Sequence, residues 1–288
     1  MREYVIVTDS CCDFSQDLIR DLDLTVIPLS VQLGEDRFRN CPDEAPESHV
    51  FYTRLSRGEP AQTSAPNVEE FKDCFLPFLR QGKDVLYLGF SSGLSGTYHN
   101  GAMAAEELQE EFPEAKVITV DTLCASMGQG LLVDLAVQEK RKGKDIEAVR
   151  DFVRETIPHL CHWFTVGDLS QLRRGGLSAG KAIVGNLLNI KPVLHVDDQG
   201  HLVPMESAKG RKKSIEALLK HMEESAIDPQ NQRIYISHGD CLDEARALAA
   251  MIQERLHVVS VTIGDVGPVI GAHSGLGTLA LFFLGTQR

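Results

Sequence analysis

Long apolar runs, an excess of positive charge and regularly spaced cysteines are all missing from this chain of 288 residues. No stretch approaches the roughly 20 apolar residues of a membrane-spanning helix, so we expect no stable membrane insertion. The formal net charge of −12 disfavours nucleic acid and anionic membranes as main partners. We expect no signal peptide, because the first residues enter a strand-like run directly, and seven irregularly spaced cysteines indicate reduced thiols. We expect a cytoplasmic protein without a metal site.

Short apolar runs alternate with amphipathic segments from Tyr4 to about Ile157. The pattern predicts strands at 5–8, 25–31, 85–89 and 116–120, and helices at 16–22, 47–55, 68–79, 102–111, 128–142 and 146–155. Such an order predicts a parallel sheet with helices on its faces. Later in the chain the pattern predicts a short helix at 169–176, a hairpin over 190–205, amphipathic helices at 212–224 and 242–256, and a final apolar strand. These elements indicate an α+β arrangement. We therefore expect an α/β protein with an N-terminal domain, 1–158, and a C-terminal domain, 159–288.

Glycines and small hydroxyl residues are concentrated at 89–98, with the sequence Gly-Phe-Ser-Ser-Gly-Leu-Ser-Gly-Thr-Tyr. The segment follows an apolar strand and precedes a helix, where unpaired backbone N–H groups can hold an anion and hydroxyls add donors. Further hydroxyl and carboxyl residues follow other strands, at 8–10, 62–66 and 121–126. Because ligands of parallel sheets lie at the carboxyl ends of the strands, we expect these segments to form one site that binds a carboxylate.

Two other interpretations of these motifs were weighed. Residues 89–93 match the G-x-S-x-G nucleophile motif, and a hydrolase using Ser91 or Ser95 with His273 stays an alternative, although that motif requires a helix directly after the serine. The G-x-x-x-x-G-K pattern at 175–181 lacks the Ser or Thr that a phosphate-binding loop requires next. His273 lies between glycines in a predicted tight turn. The sequence favours neither a structural role nor a ligand-binding role for this side chain.

An ordered set of motifs along nearly the whole chain resembles the DegV family, whose characterised members bind fatty acids. The motifs are 7–10 (Val-Thr-Asp-Ser), 63–66 (Thr-Ser-Ala-Pro), 91–98, 121–130, 172–176, 190–192, 209–211 and 271–275. The resemblance implies two α/β domains that hold one long-chain fatty acid between them. It also implies that Thr63, Ser95 and His273 bind the carboxylate. Ser64, Ser92, Gly96 and Thr97 would support them.

The same resemblance implies a partner, a separate ATP-dependent fatty acid kinase that converts the bound acid to acyl phosphate for phospholipid synthesis. Arg211 would dock this kinase, and the chain itself would have no catalytic residue and no cofactor. Two positions depart from the family pattern, because Leu177 replaces a frequent arginine and Leu276 a frequent proline. These departures leave the acyl-chain preference open. A serine esterase or thioesterase, or a carrier of another acidic lipid, stays the alternative function.

Overall fold

The structure, a computed structural model, describes residues 2–168, residue 172 and residues 189–288. Its strands are β1 (Tyr4–Asp9), β2 (Thr25–Ile27), β3 (Ser30–Leu33), β4 (Asp36–Arg39), β5 (Ala61–Ser64), β6 (Asp84–Gly89), β7 (Val117–Asp121), β8 (Leu160–Thr165), β9 (Ile190–Val196), β10 (Leu202–Lys209), β11 (Arg233–His238), β12 (Ser260–Asp265) and β13 (Leu279–Leu284). Its helices are α1 (Gln16–Asp21), α2 (Ser48–Ser56), α3 (Val68–Arg80), α4 (Thr97–Glu111), α5 (Met127–Arg141), α6 (Ile146–Thr156), α7 (Arg211–Ser225), α8 (Leu242–Leu256) and α9 (Pro268–Ser274).

The predicted parallel sheet is confirmed. Strands β2, β1, β6 and β7 form it in that order, and each neighbouring pair is parallel. Helices α3 and α4 pack on it, and β6 is buried along its whole length, as expected for a strand covered on both faces. The strands end at Asp9, Gly89 and Asp121, so these three ends meet at one edge of the sheet.

A second, three-stranded sheet was not predicted. Strands β4, β3 and β5 form it with antiparallel pairing. The prediction of one strand over 25–31 is wrong, because Pro28, which lacks a backbone N–H, lies between β2 of the parallel sheet and β3 of the antiparallel one. The segment 62–66 is also only partly a loop. Its first half belongs to β5, so Thr63 lies on a strand.

The later part of the chain builds a six-stranded mixed sheet with the order β10-β9-β8-β13-β11-β12. Strands β9 and β10 form the predicted hairpin, and α7 and α8 cover one face of the sheet. His273 does not lie in a tight turn as predicted, since α9 extends over Pro268–Ser274. Pro268 at the first position favours a helix start there, because the first backbone N–H groups of a helix have no partner within the helix and proline lacks this group. The predicted short helix at 169–176 falls, except for Leu172, outside the described residues, as does Leu177.

Helix α5 joins the sheets into one core. It packs against β8, β11 and β13 of the mixed sheet, and its Leu131 belongs to the same buried cluster as Leu86 of β6 and Phe282 of β13. The parallel and three-stranded sheets precede residue 158 and the mixed sheet follows it; the boundary between domains stays a prediction. Within the described ranges, no helix combines the length and the apolar character needed to cross a bilayer.

Candidate functional site

An apolar cavity of about 220 Å³ lies between the mixed sheet and the three-stranded sheet. Most of its wall consists of apolar side chains from β8, β9, β10, β13, α9 and the loops after β2, β6 and β12, namely Leu29, Phe90, Leu94, Phe164, Val196, Leu202, Val266, Val269, Ile270, Ala280 and Phe282. Thr63, Ser95 and His273 lie on the same wall. The structure therefore brings together three residues that are far apart in the sequence.

Thr63 and His273 are in direct contact. The side chains meet because α9 packs against β3 and β5, and Thr63 Oγ1 lies 2.8 Å from His273 Nε2. Burial lowers the pKa of His273, so the imidazole is neutral near pH 7. A neutral imidazole has one donor and one acceptor nitrogen. The pair can therefore offer a hydroxyl or ring N–H donor to an anion without placing a fixed positive charge beside it.

Ser95 is fixed by the start of the next helix. Its Oγ lies 2.8 Å from Thr97 Oγ1 and accepts a hydrogen bond from the Thr97 backbone N–H at 3.2 Å. Helix α4 begins at Thr97, five residues earlier than the prediction at 102. The serine hydroxyl thus lies beside the first turn of a helix, where backbone N–H groups and the helix dipole favour an anion.

The four residues predicted to support the site do not line the cavity formed by the described residues. Ser64 is exposed on β5, and Gly96 is exposed at the start of α4. Ser92 donates its backbone N–H to Asp121 Oδ1 at 3.2 Å, and Thr97 is buried. Ser92 and Thr97 therefore act on the conformation of the loop, and a contact of any of these side chains with the ligand stays a prediction.

Asp9 explains how the serine-rich loop is held at the edge of the sheet. Its buried carboxyl group accepts hydrogen bonds from the Phe90 backbone N–H and the Tyr87 hydroxyl, both at 2.8 Å, and from the Cys11 N–H at 3.1 Å. Burial raises the pKa of Asp9, whereas the donors oppose that rise. Asp9 lies at the end of β1, as predicted, and its carboxyl group fixes the backbone of the loop after β6.

Ser91 has a different role from Ser95. Its buried hydroxyl donates to the Gly200 carbonyl oxygen at 2.9 Å, which connects the loop after β6 to the turn between β9 and β10. Asp121 accepts the backbone N–H groups of Ser92 and Leu123. Among the described residues, no carboxylate is hydrogen-bonded to His273. The orienting carboxylate of a Ser-His-Asp arrangement is therefore not found at this histidine in the described part of the chain.

Further polar residues line the wall besides the three candidates for binding the carboxylate, and of these Ser237 was not singled out by sequence reasoning. Ser126 and Ser237 line the cavity and lie 2.9 Å apart through their Oγ atoms. Ser274 also lines it, and its buried Oγ has no hydrogen-bond partner among the described residues. The Ser-Met-Gly-Gln-Gly motif pointed to the region of Ser126. Ser237 is an ordinary strand residue, and only the pairing of β11 with its neighbours places it here.

Arg211 lies apart from the cavity, at the first position of α7. Its guanidinium group contacts both carboxylate oxygens of Glu244, with distances of 3.1, 3.0 and 2.6 Å. Such paired hydrogen bonds fix the orientation of an arginine more closely than a single contact. The adjacent Lys212 has a side chain that is 91% exposed. Arg211 is thus held in a defined position beside the exposed Lys212, which pairs with Glu216 at 3.9 Å.

Comparisons with known proteins agree with this architecture. A sequence model described as "Uncharacterised protein, DegV family" matches residues 3–286. A DegV domain-containing protein of Clostridium perfringens is 42% identical over 289 aligned positions, covering 100% of this chain and 99% of the relative.

Solved structures give the same result. A DegV family protein from Thermus thermophilus, described for its fatty acid binding, is 31% identical with a TM-score of 0.89, and the match covers 99% of this chain and 100% of that one. The Streptococcus pneumoniae Fatty Acid Kinase (Fak) B3 protein, loaded with linoleic acid, is 18% identical with a TM-score of 0.83, covering 98% and 99%. This last likeness shows the fold alone. The chain belongs to the DegV family.

Proposed function

We propose that this protein is a cytoplasmic carrier that encloses a long-chain fatty acid and holds its carboxylate with Thr63, Ser95 and His273. The proposal rests on one observation: these three side chains all line the same apolar cavity. The Thermus thermophilus protein, described for its fatty acid binding, supports the same ligand class.

The energetics of such a ligand fit the cavity. Each buried methylene contributes about 0.8 kcal/mol, so a sixteen-carbon acid gains on the order of 12 kcal/mol before ordering costs. The tail therefore provides most of the affinity. An unpaired buried carboxylate would cost several kcal/mol. Two hydroxyls, a neutral imidazole and the N–H groups at the start of α4 can offset that cost, and they leave a carboxylate oxygen free of a strong cationic clamp.

The first experiment identifies the ligand. Native mass spectrometry of the purified protein, followed by gas chromatography of the extracted lipid, is expected to show one fatty acid per chain. Thr63→Val keeps the side-chain shape but removes the hydroxyl, so the dissociation constant for the identified acid, measured on delipidated protein, should rise by about tenfold. Thr286→Val is the matched control, because Thr286 is exposed and lies outside the cavity wall formed by the described residues. A protein without lipid, an acidic lipid of another class, or equal dissociation constants in both variants would contradict the proposal.

We also propose that the carrier presents the acid to a separate ATP-dependent kinase. The kinase would transfer the γ-phosphoryl group of ATP to a carboxylate oxygen, which yields acyl phosphate for phospholipid synthesis, and ADP. This chain would act as a binding subunit and would supply no catalytic group. The resemblance of the motifs to fatty-acid-binding DegV proteins supports the partnership, and the name of the Streptococcus pneumoniae protein is consistent with it.

Arg211 is the residue that we propose for kinase docking. Arg211→Ala removes a guanidinium group that pairs with Glu244. Arg211 does not line the cavity formed by the described residues. We expect unchanged lipid content and at least about tenfold slower acyl phosphate formation with the kinase. Lys220→Ala serves as the control, since Lys220 is 70% exposed on the same helix. Loss of lipid in Arg211→Ala, or equal rates in both variants, would show that the docking role is wrongly assigned.

A further inference from the structure

A second cleft has a volume of about 650 Å³. It borders the apolar cavity around Thr63, Ser95 and His273, called the acyl cavity below, because Val266 lines both. It lies between the segment after β1, the segment from β4 to α2, and the segment from β12 to α9. Every residue of its lining belongs to the described part of the chain. Apolar side chains, including Phe14, Ile263 and Pro268, form much of the wall. The fatty acid proposal gives this cleft no role.

Asp13 is the unusual group of this cleft. The residue is only 9% exposed, and its Oδ1 has no hydrogen-bond partner of good geometry among the described residues. Its other oxygen, Oδ2, accepts a hydrogen bond from Ser126 Oγ at 2.5 Å. The backbone N–H of Gly267 lies near the Asp13 carboxyl group and lowers its pKa. The geometry of this contact is not that of a hydrogen bond. A buried acceptor of this kind is costly unless a partner reaches it.

Other polar groups of the cleft are mainly acceptors. Asn40 donates its amide nitrogen to the Ser10 carbonyl oxygen, which leaves its amide oxygen available. Asp265 lines the cleft with a side chain that is 55% exposed, and Ser48 Oγ is buried without a partner among the described residues. The basic residue Arg20 on the same wall is paired with Asp17. The site therefore offers carboxylate, amide and hydroxyl oxygens to a ligand that brings N–H donors.

We propose that this cleft binds a small organic ammonium compound, whose charged nitrogen contacts Asp13 Oδ1 while its apolar part packs against Phe14 and Ile263. An ammonium group supplies the donors that the oxygens lack and a charge opposite to theirs. Within the described residues, no group of three or more His, Cys, Asp or Glu side chains could hold a metal ion. An organic cation with an apolar portion also suits the mixed wall.

Binding has a proton signature that identifies Asp13. Burial raises the pKa of Asp13 to about 8, so at pH 7 the carboxyl group is mostly protonated, and an ammonium ion displaces this proton into solution. The titratable groups that face Asp13 are Asp9, Asp265, Cys11, Cys12 and Tyr52. Burial also raises the pKa of Asp9, Cys11, Cys12 and Tyr52. Cys11, Cys12 and Tyr52 therefore keep their protons at pH 7. Asp9 does not line the cleft, whereas Asp13 does, so we assign the released proton to Asp13.

Isothermal titration of the full chain with phenethylamine, and with neutral phenethyl alcohol as the comparison, tests the proposal. We expect the amine to bind at least about tenfold more tightly and to release a proton, seen as a dependence of the heat on the buffer. Asp13→Asn should abolish both effects. Asparagine suits the left-handed backbone of residue 13, where φ is 54°, so the variant should fold.

Two further variants sharpen the result. Asp23→Asn is the matched control, because Asp23 has a similar φ of 52° but is not part of the cleft wall. Gly267→Ala keeps Asp13 and places a methyl group 2.7 Å from its Oδ1, so it should also weaken amine binding. Absent amine binding, equal affinities for the amine and the alcohol, or a preference that survives Asp13→Asn would each overturn the proposal. Because Ser126 lines the acyl cavity and donates to Asp13, native mass spectrometry of each variant records its lipid content separately from its amine binding.

Discussion

Asp13 shows how burial at a single residue sets a pH dependence of stability. Its pKa is raised from 3.8 to about 8 by burial, so across this window the folded protein keeps a proton that the unfolded chain releases. Stability from this group is therefore full below about pH 4, falls as the pH rises, and levels off above about pH 8. Asp13→Asn removes the effect.

The variant should thus gain stability relative to the wild type, by up to about 1.4 kcal/mol for each pH unit. Urea unfolding of both proteins at about pH 5 and about pH 8 measures the difference, and Asp23→Asn should follow the wild type. Equal losses of stability in the wild type and Asp13→Asn would show that the carboxyl group is ionised in the folded protein.

Among single residues, the sequence predicted the three polar candidates of the site but not the other residues that line the cavity. Thr63, Ser95 and His273 were predicted from motifs, and the structure places all three on one cavity wall. Ser237 and Ala280 could not be predicted, because they are unremarkable residues of strands. The pairing of β11 with β13 sets Ser237 opposite Ala280, and the strand order then brings both residues to the cavity. Local pattern does not contain that information.

Among the elements, the loop after β6 depends on a close approach to the β9–β10 turn. A Cβ atom at Gly93 would lie 2.7 Å from the Gln199 carbonyl oxygen and 3.0 Å from that of Gly200. Both contacts are to backbone, which cannot rotate away. Gly93→Ala should therefore push the loop from the turn, weaken the Ser91–Gly200 hydrogen bond and destabilise the protein by about 1–3 kcal/mol.

Gly96→Ala provides the matched control within the same loop. Nothing lies within 4 Å of a Cβ atom at this position, and its φ of −72° is ordinary for alanine. Chemical denaturation should show a change below about 0.5 kcal/mol for this variant. If both alanine variants lose equal stability, the cause is the flexibility of the loop and not its contact with the turn.

Element prediction succeeded where the periodicity was long and failed where elements were short. The range of α8 agrees with the prediction over 242–256, and α3 differs from its predicted end by one residue. The capping box of Asn67 and Glu70 makes such a helix start readable from local sequence. Strands β4 and β5 have only four residues each, and their pairing with β3 is a tertiary effect. Glycines at 271, 275 and 277 led to the prediction of a turn where the structure has α9.

At the scale of the whole molecule, residues from both predicted domains pack into one buried cluster. One buried cluster contains Tyr4 and Leu86 from the first part and Phe164, Tyr235 and Phe282 from the second. The Tyr52 hydroxyl of α2 donates to the Val266 carbonyl oxygen at 2.8 Å. The change of apolar pattern near residue 158 predicts where one sheet is followed by another, but a local pattern cannot show that both sheets contribute to one buried cluster.

Asp134 of α5 is a specific link between the two parts. Its carboxylate is 2% exposed, accepts a hydrogen bond from the Tyr235 hydroxyl at 3.0 Å, and pairs with Arg233 at 3.3 Å. Asp134→Ala leaves a buried hydroxyl without its acceptor, so we expect a loss on the order of 2 kcal/mol. The half-exposed Arg233 keeps its access to water and adds little to this loss.

The shared core predicts that the protein unfolds in one cooperative step although the chain has 288 residues. Differential scanning calorimetry should give a single transition with equal calorimetric and van't Hoff enthalpies. Asp134→Ala should move that whole transition to lower temperature by several degrees. If the two parts were coupled mainly through this link, the variant would instead split the transition into two, because the link would be lost while each sheet kept its own stability. A split would thus show that α5 connects two units that fold separately, whereas a uniform shift shows that α5 is part of one core.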